Sequence, residues 1–96
     1  MQPNENHEEF YSRFHEQLLE SQSWPGPYLF KFISREGEGA LEKIKALFQN
    51  KDAAFSQKQS KKKTFVSLSV RVTMEDPDHV IKIYKEVQKM KGIITL

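Results

Sequence analysis

The last third of the chain, residues 64–96, leaves little freedom in how it can fold. From Phe65 to Met74, Val66, Leu68, Val70, Val72 and Met74 alternate strictly with Phe65, Ser67, Ser69, Arg71 and Thr73. A period of two with one apolar and one polar set predicts a strand over 64–75 that is covered on one side only. Asp76 then supplies a helix N-cap, Pro77 fits the first helical position, and Asp78 favours the positive end of the helix dipole. Val80, Ile83, Tyr84 and Val87 follow at i, i+3, i+4 and i+7, which is one buried helix face. Lys82, Lys85, Lys89 and Lys91 take the outer side, Gly92 is expected to end the helix in a left-handed conformation, and Ile93 to Leu96 read as a last short strand.

The remaining elements extend this unit into a complete fold. Residues 5–22 predict a helix whose stripe is Phe10, Phe14 and Leu18 with Tyr11 beside it, capped by Asn4 or Asn6. The SWPGP run at 23–27 ends it, because two prolines and a glycine in five residues favour a turn or linker. Residues 27–34 predict a strand with Tyr28, Phe30 and Phe32 on one face and Leu29, Lys31 and Ile33 on a wetter one. A loop, REGEG, leads to a helix over 38–49 that buries Leu41, Ile44, Leu47 and Phe48. Residues 53–60 form a weaker pattern, expected as an edge strand with Lys58 in water, and SKKK at 60–63 is a polar turn. After the first helix the order is β-α-β-β-α-β. Right-handed crossovers convert that order into an α+β, ferredoxin-like sandwich: a four-stranded antiparallel sheet, strand order 4-1-3-2, with two helices on one face. Residues 1–26 are read as a helical extension and linker, and 27–96 as the domain.

Composition narrows the function. There is no cysteine, so thiol chemistry and disulfides are excluded. No apolar run approaches the roughly 18 residues of a membrane span, and the acidic start MQPNENHEEF is unlike a signal peptide; a cytoplasmic protein is expected. Residues 1–26 carry one Arg against five Glu, and residues 27–96 carry fourteen Lys and Arg against eight Asp and Glu. That asymmetry fits internal electrostatic docking or a basic face for an anionic partner, and equally two solvated surfaces. His7, His15 and His79 lack metal-ligand spacing, no nucleophile or phosphate-loop motif occurs, and Glu75, Asp76 and Asp78 are explained by helix capping. No enzyme, metal or cofactor is expected.

Four stretches carry a resemblance: FKF after a Pro-aromatic entry, the Phe65–Val70 run, IYKEV, and the final KGIITL. Together, over about 27–96, they resemble the YbeD-like bacterial family of unknown function. The resemblance implies a ferredoxin-like fold similar to ACT regulatory domains, hence a regulatory role, and it brings no catalytic residues with it. The helix at 5–22 is longer than that family's usual N-terminal segment.

Three surfaces are candidates for binding. The loop holding Gly37 and Gly39 corresponds to one that, in ACT domains, approaches an amino-acid ligand at a dimer interface; it fits a plain flexible turn as well, and Glu36 and Glu38 disfavour an anion there. The second sheet face presents Lys31, Phe65, Ser67, Ser69, Arg71 and Thr73. One aromatic there is too few for RNA bases to stack, so that face is solvated, paired with another subunit, or covered by the N-terminal helix. Phe10, Phe14, Leu18 and Trp24 are expected to dock on the domain or on a partner. The basic cluster Lys58, Lys61, Lys62 and Lys63 suits phosphates, and suits equally a solvated hairpin tip that discourages edge pairing. The leading expectation is a non-enzymatic regulatory or adaptor domain binding a small molecule or a protein, with homodimerisation allowed and no membrane contact. The alternatives are a nucleic-acid-binding module using the lysine-rich turn and a structural oligomerisation unit.

Overall fold

The computed structural model describes residues 7–35, 39–62 and 64–96. Its elements are α1 (His7–Ser21), β1 (Gly26–Arg35), α2 (Ala40–Ala46), β2 (Ala54–Gln59), β3 (Phe65–Met74), α3 (Pro77–Gln88) and β4 (Ile93–Thr95). The strands form one sheet in the order β2-β3-β1-β4, which is the expected 4-1-3-2, and every neighbouring pair is antiparallel. The long central strands pair along their whole length, from Gly26 opposite Met74 to Arg35 opposite Phe65.

One face of the sheet is the core. Phe30, Phe32, Val66, Leu68, Val70, Val72 and Met74 are buried there, and α2 and α3 cover them with Leu41, Ile44, Val80, Ile83 and Val87. Asp76 caps α3 as the sequence predicts, its side chain accepting from the His79 backbone N–H at 2.9 Å, with Pro77 at the start of the helix. Gly92 is left-handed, φ +78, but it lies in the turn beyond the C-cap residue Lys89 rather than at the cap.

Two further details differ from expectation. The helix expected over 38–49 stops at Ala46. After it, Leu47, Phe48 and Gln49 donate to carbonyls three residues back, and this tighter turn buries Phe48 against Phe30, ring centroids 5.2 Å apart. The alternative that the N-terminal helix would cover the second sheet face is overturned: α1 packs beside α3, on the helical side. Tyr11 and Leu18 are buried, Phe14 meets Tyr84 at 5.7 Å, the Tyr11 hydroxyl donates to Gln88 Oε1 at 2.6 Å, and His15 Nε2 lies 3.3 Å from Asp78. Trp24, before a cis proline, donates its indole N–H to the Leu18 carbonyl and closes the C-terminal end of α1. The apolar stripe therefore finds its partner surface on α3, which offers Ile81 and Tyr84, the latter a ring that also packs on β1. Among the described residues, no helix is long and apolar enough to cross a membrane.

Candidate functional site

The second face of the sheet remains uncovered, and the register defines what it presents. Side chains opposite one another on paired strands share a face. Across β2, β3 and β1 the rows are Ala54–Arg71–Leu29, Ser56–Ser69–Lys31 and Lys58–Ser67–Ile33, with Ile94 of β4 continuing the last row beside Ile33. Arg35 and Phe65 close the end of the central pair. Leu29 is 53% exposed, Ile94 54% and Phe65 38%, while Lys31, Lys58 and Arg71 are all exposed.

The charge on this face is of one sign. The four strands contain Lys31, Arg35, Lys58 and Arg71 and not one Asp or Glu. All four cations fall in the alternation that points away from the core, because Phe30, Phe32, Ser34, Leu68 and Val70 occupy the other positions. Between them run the hydroxyls of Ser67 and Ser69, both half-buried; Ser67 Oγ donates to the Lys58 carbonyl at 3.3 Å. The result is a surface on which Ile33 and Ile94 adjoin as an apolar pair and Leu29 stands apart across Lys31, set among exposed cations and hydroxyls. The structure thus brings Lys31, Ser67, Ser69 and Arg71 together on one surface and adds Lys58 from the basic cluster.

The other sequence candidates lie elsewhere. Gly39 is the N-cap residue of α2 with φ +71, and among the described residues, its chain neighbours aside, no atom stands within 4 Å of where its Cβ would be. Glycine is required there by backbone conformation, not by close approach of another group. A cavity of about 400 Å³ beside it is lined by Ser34, Gly39, Leu41, Gln57, Lys58 and Val66, so Gly39 and Lys58 border one depression. Gly37 and Lys63 lie outside the described residues. Lys61 and Lys62 occupy an exposed turn, and the Ser60 side chain fixes that turn by accepting from the N–H groups of Thr64 and Phe65 at 3.1 and 3.2 Å.

The acidic group at the start of α3 acts as a cap. Asp76 Oδ1 is 2.7 Å from His79 Nδ1 as well as bonded to the His79 backbone, and these hydrogen bonds, first the side-chain one, hold the Asp76 carboxyl below its ordinary range. Sequence reasoning missed a different feature, the role of Tyr84. Its ring touches Phe14, Tyr28, Phe30 and Phe32, with centroids 5.3–6.5 Å apart, and its hydroxyl shares a hydrogen bond of 3.1 Å with Tyr28. Burial, then the bond to Tyr28, pushes its phenol above the ordinary value of 10.0.

Comparison with known proteins follows the same outline. The family described as protein of unknown function DUF493 matches residues 20–96. A UPF0250 protein of Shewanella putrefaciens is 27% identical over 77 residues, covering 77% of this chain and 88% of that relative. A UPF0250 protein of Shewanella baltica is 29% identical over the same length and shares. Among solved structures, a hypothetical protein of Helicobacter pylori superimposes with a TM-score of 0.57 at 16% identity, over 79% of this chain and 98% of that one. The ACT domain from a GTP pyrophosphokinase of Chlorobium tepidum superimposes with a TM-score of 0.54 at 11% identity, over 73% and 96%. At such identities the structural likeness shows the fold alone.

Proposed function

This chain belongs to the DUF493 (UPF0250) family of proteins of unknown function, and from that premise we propose that it is a non-catalytic regulatory or adaptor domain that recognises a protein partner through the open face of its sheet. The observation that carries this reading is the composition of that face: the apolar side chains of Leu29, Ile33 and Ile94 interspersed with the cations Lys31, Lys58 and Arg71, with no carboxylate in any strand. Such a surface complements a partner segment that alternates apolar and acidic residues, with burial supplying affinity and the cations supplying orientation and on-rate. The ACT-like fold supports a regulatory role by analogy of architecture.

Charge argues against the competing occupants. A second copy docked face to face would set cation against cation, which is repulsive. An RNA strand needs aromatic platforms for its bases, and Phe65 is the one aromatic residue on this face among the described residues, at its end.

The test is selection from a random peptide library displayed against the immobilised chain, followed by mapping of bound peptide by NMR. The expected peptides combine Asp or Glu with Leu, Ile or Phe and shift the amides of Lys31, Ser67, Ser69 and Arg71. Reversing two charges, Lys31→Glu with Arg71→Glu, is expected to weaken them by at least about tenfold, which corresponds to about 1.4 kcal/mol. Selected peptides that are neutral or basic, or that map to α2 and α3, would overturn the reading. So would nucleic acid binding more tightly than any peptide, with a steep salt dependence abolished by Lys61→Ala and Lys62→Ala, and that result would favour the lysine-rich turn instead.

A further inference from the structure

On the opposite side of the molecule, α1 does more than bury its own stripe. Between it, α3 and the β1–β4 edge lies a cavity of about 340 Å³, walled chiefly by Phe10, Tyr11, Phe14, Tyr28, Tyr84 and Gln88. Five of these six are aromatic. The rings stand in mixed orientations: Phe10 and Phe14 are stacked at 6.2 Å, Phe14 is tilted by 55° to Tyr84, and Tyr28 meets Tyr84 edge-on at 80°. Both ring faces and ring edges are therefore on offer within one small space. None of the described residues lining it has a charged side chain. Phe10, Phe14, Tyr28 and Tyr84 are only half-buried, so apolar surface remains open at the place where a guest would cover it.

We propose that this cavity is a binding site for an uncharged, planar aromatic or heteroaromatic small molecule of one or two rings that carries a hydrogen-bond acceptor. The volume is at the low end of small-molecule sites, roughly 300–1,000 Å³, which limits the guest to that size. Walls without charged side chains make an ionic guest costly, because a charge would lose hydration there, and the Lys85 ammonium lies outside the lining, over the Tyr11 ring at 4.9 Å. Rings at mixed angles favour a flat aromatic guest over an aliphatic one, since edge-to-face and offset contacts are both available to it. The Tyr28–Tyr84 pair fixes the polar requirement. Two hydroxyls carry two protons, one is engaged in the bond between them, and the other remains to donate. Burial holds the Tyr84 phenol protonated well beyond neutral pH, so that donor persists.

The site also assigns α1 a role. Residues 7–19 of α1 precede the span matched by the family, 20–96, yet they supply Phe10, Tyr11 and Phe14 to the cavity. A guest touching α1 on one side and Tyr28 and Tyr84 on the other stabilises the docked helix by mass action. Occupancy is thereby expressed as tighter attachment of α1.

The experiment titrates the full chain with indole, quinoline and benzamide, with benzoate and benzylammonium as charged counterparts and hexanol as a non-aromatic control, read by NMR and by hydrogen exchange. Saturable shifts at Tyr84, Gln88 and residues 8–18 are expected with at least one neutral ring probe, together with slower exchange of the α1 amides. The charged and aliphatic probes are expected to bind at least about tenfold more weakly, a difference of about 1.4 kcal/mol. Changing both hydroxyls together, Tyr28→Phe with Tyr84→Phe, is expected to weaken the acceptor-bearing probes quinoline and benzamide roughly fivefold, the usual loss for one hydrogen bond. Phe14→Trp is expected to fill the cavity and abolish binding, and Leu96→Trp, at the exposed mouth, to obstruct it without involving the core. The proposal is overturned if no ring probe saturates at millimolar concentration, if hexanol binds as well as quinoline, if the shifts map elsewhere, or if binding survives unchanged in the folded Trp variant or variants.

Discussion

The covered and open faces of the sheet are built from alternate residues of the same strands, yet different forces decide what stands on each. In β1, Phe30 and Phe32 are fully buried and touch each other, Phe48 and Tyr84, whereas Leu29 between Tyr28 and Phe30 is half exposed. In β3, Val70 is sealed while its neighbours Ser69 and Arg71 face outward. On the covered face, volume and shape are constrained by close packing. On the open face the constraint is electrostatic: Lys31, Arg35, Lys58 and Arg71 appear with no carboxylate among the strands. Stability has its source in the first face, and on the proposed function the second serves recognition. On the function proposed above, a partner accounts for the single sign of charge on the uncovered face, where solubility alone would be served by mixed signs.

The comparison is broken most directly by truncating adjacent residues of β1. Phe30→Ala is expected to cost about 3–5 kcal/mol, since it removes a fully buried ring at the centre of the aromatic contacts. Leu29→Ala, one residue away and on the other face, is expected to stay within about 0.5 kcal/mol. Urea unfolding of the two variants measures both. A cost above about 1.5 kcal/mol for Leu29→Ala would show that the open face is buried in solution by something the single chain lacks, a second copy first among the explanations.

A smaller effect separates the covered face from the helix that lies on it. Asp76→Ala is expected to cost about 1 kcal/mol through loss of the α3 cap, and Asp76→Asn much less, because asparagine caps nearly as well. Both variants differ from the parent in pH response. The Asp76 carboxyl is held below its ordinary value by the hydrogen bonds from His79, so the folded protein keeps it ionised where the unfolded chain would begin to protonate. That contribution is complete above the unfolded value of about 4 and is lost as pH falls through the lower folded one. Acid titration of stability is therefore expected to fall off less steeply below about pH 4 in Asp76→Asn than in the parent. An unchanged acid limb would remove the His79 contacts from the account of α3.

How much of this was readable in the sequence depends on whether a feature is local. The β3 alternation and the Asp76–Pro77 start of α3 are local patterns, and the structure reproduces both within a residue. The stripe of α1 was readable as apolar, but periodicity tells that a face is buried and not against what. Its packing on α3 depends on Tyr84 and Ile81, which lie about seventy residues further along the chain. Phe55 shows the same limit. The run AAFSQKQS has no β-branched residue to mark its faces, and Phe55 reaches the ring of Phe48, which lies in the tighter turn after Ala46, at 6.3 Å. The aromatic cavity was illegible for that reason: its walls come from α1, β1 and α3, and no short segment contains more than three of its rings. On the open face Lys31, Lys58 and Arg71 could be read directly, but Arg35 fell in the expected loop and Glu75 in the expected strand over 64–75, so the lack of acidic residues in the strands needed the observed ends of β1 and β3. The cations' shared face needed the β2–β3 register, which sets Lys58 beside Ser67.

The smallest expected effect on stability tests the open face itself. Lys31 and Arg71 stand in neighbouring rows, each opposite an uncharged residue, Ser69 and Leu29. Changing both to Ala removes two like charges from one surface and breaks no salt bridge found among the described residues. Thermal unfolding is therefore expected to move by no more than about 0.5 kcal/mol in either direction, with a slight gain at low ionic strength as repulsion is relieved. The same variant is expected to lose most of its affinity for an acidic, apolar peptide. If instead it unfolds more readily by 1–2 kcal/mol, roughly the cost of breaking a charge-assisted hydrogen bond, then these cations have counter-charges within the folded chain. The division between a face that folds and a face that binds would then fail at the residues chosen to define it.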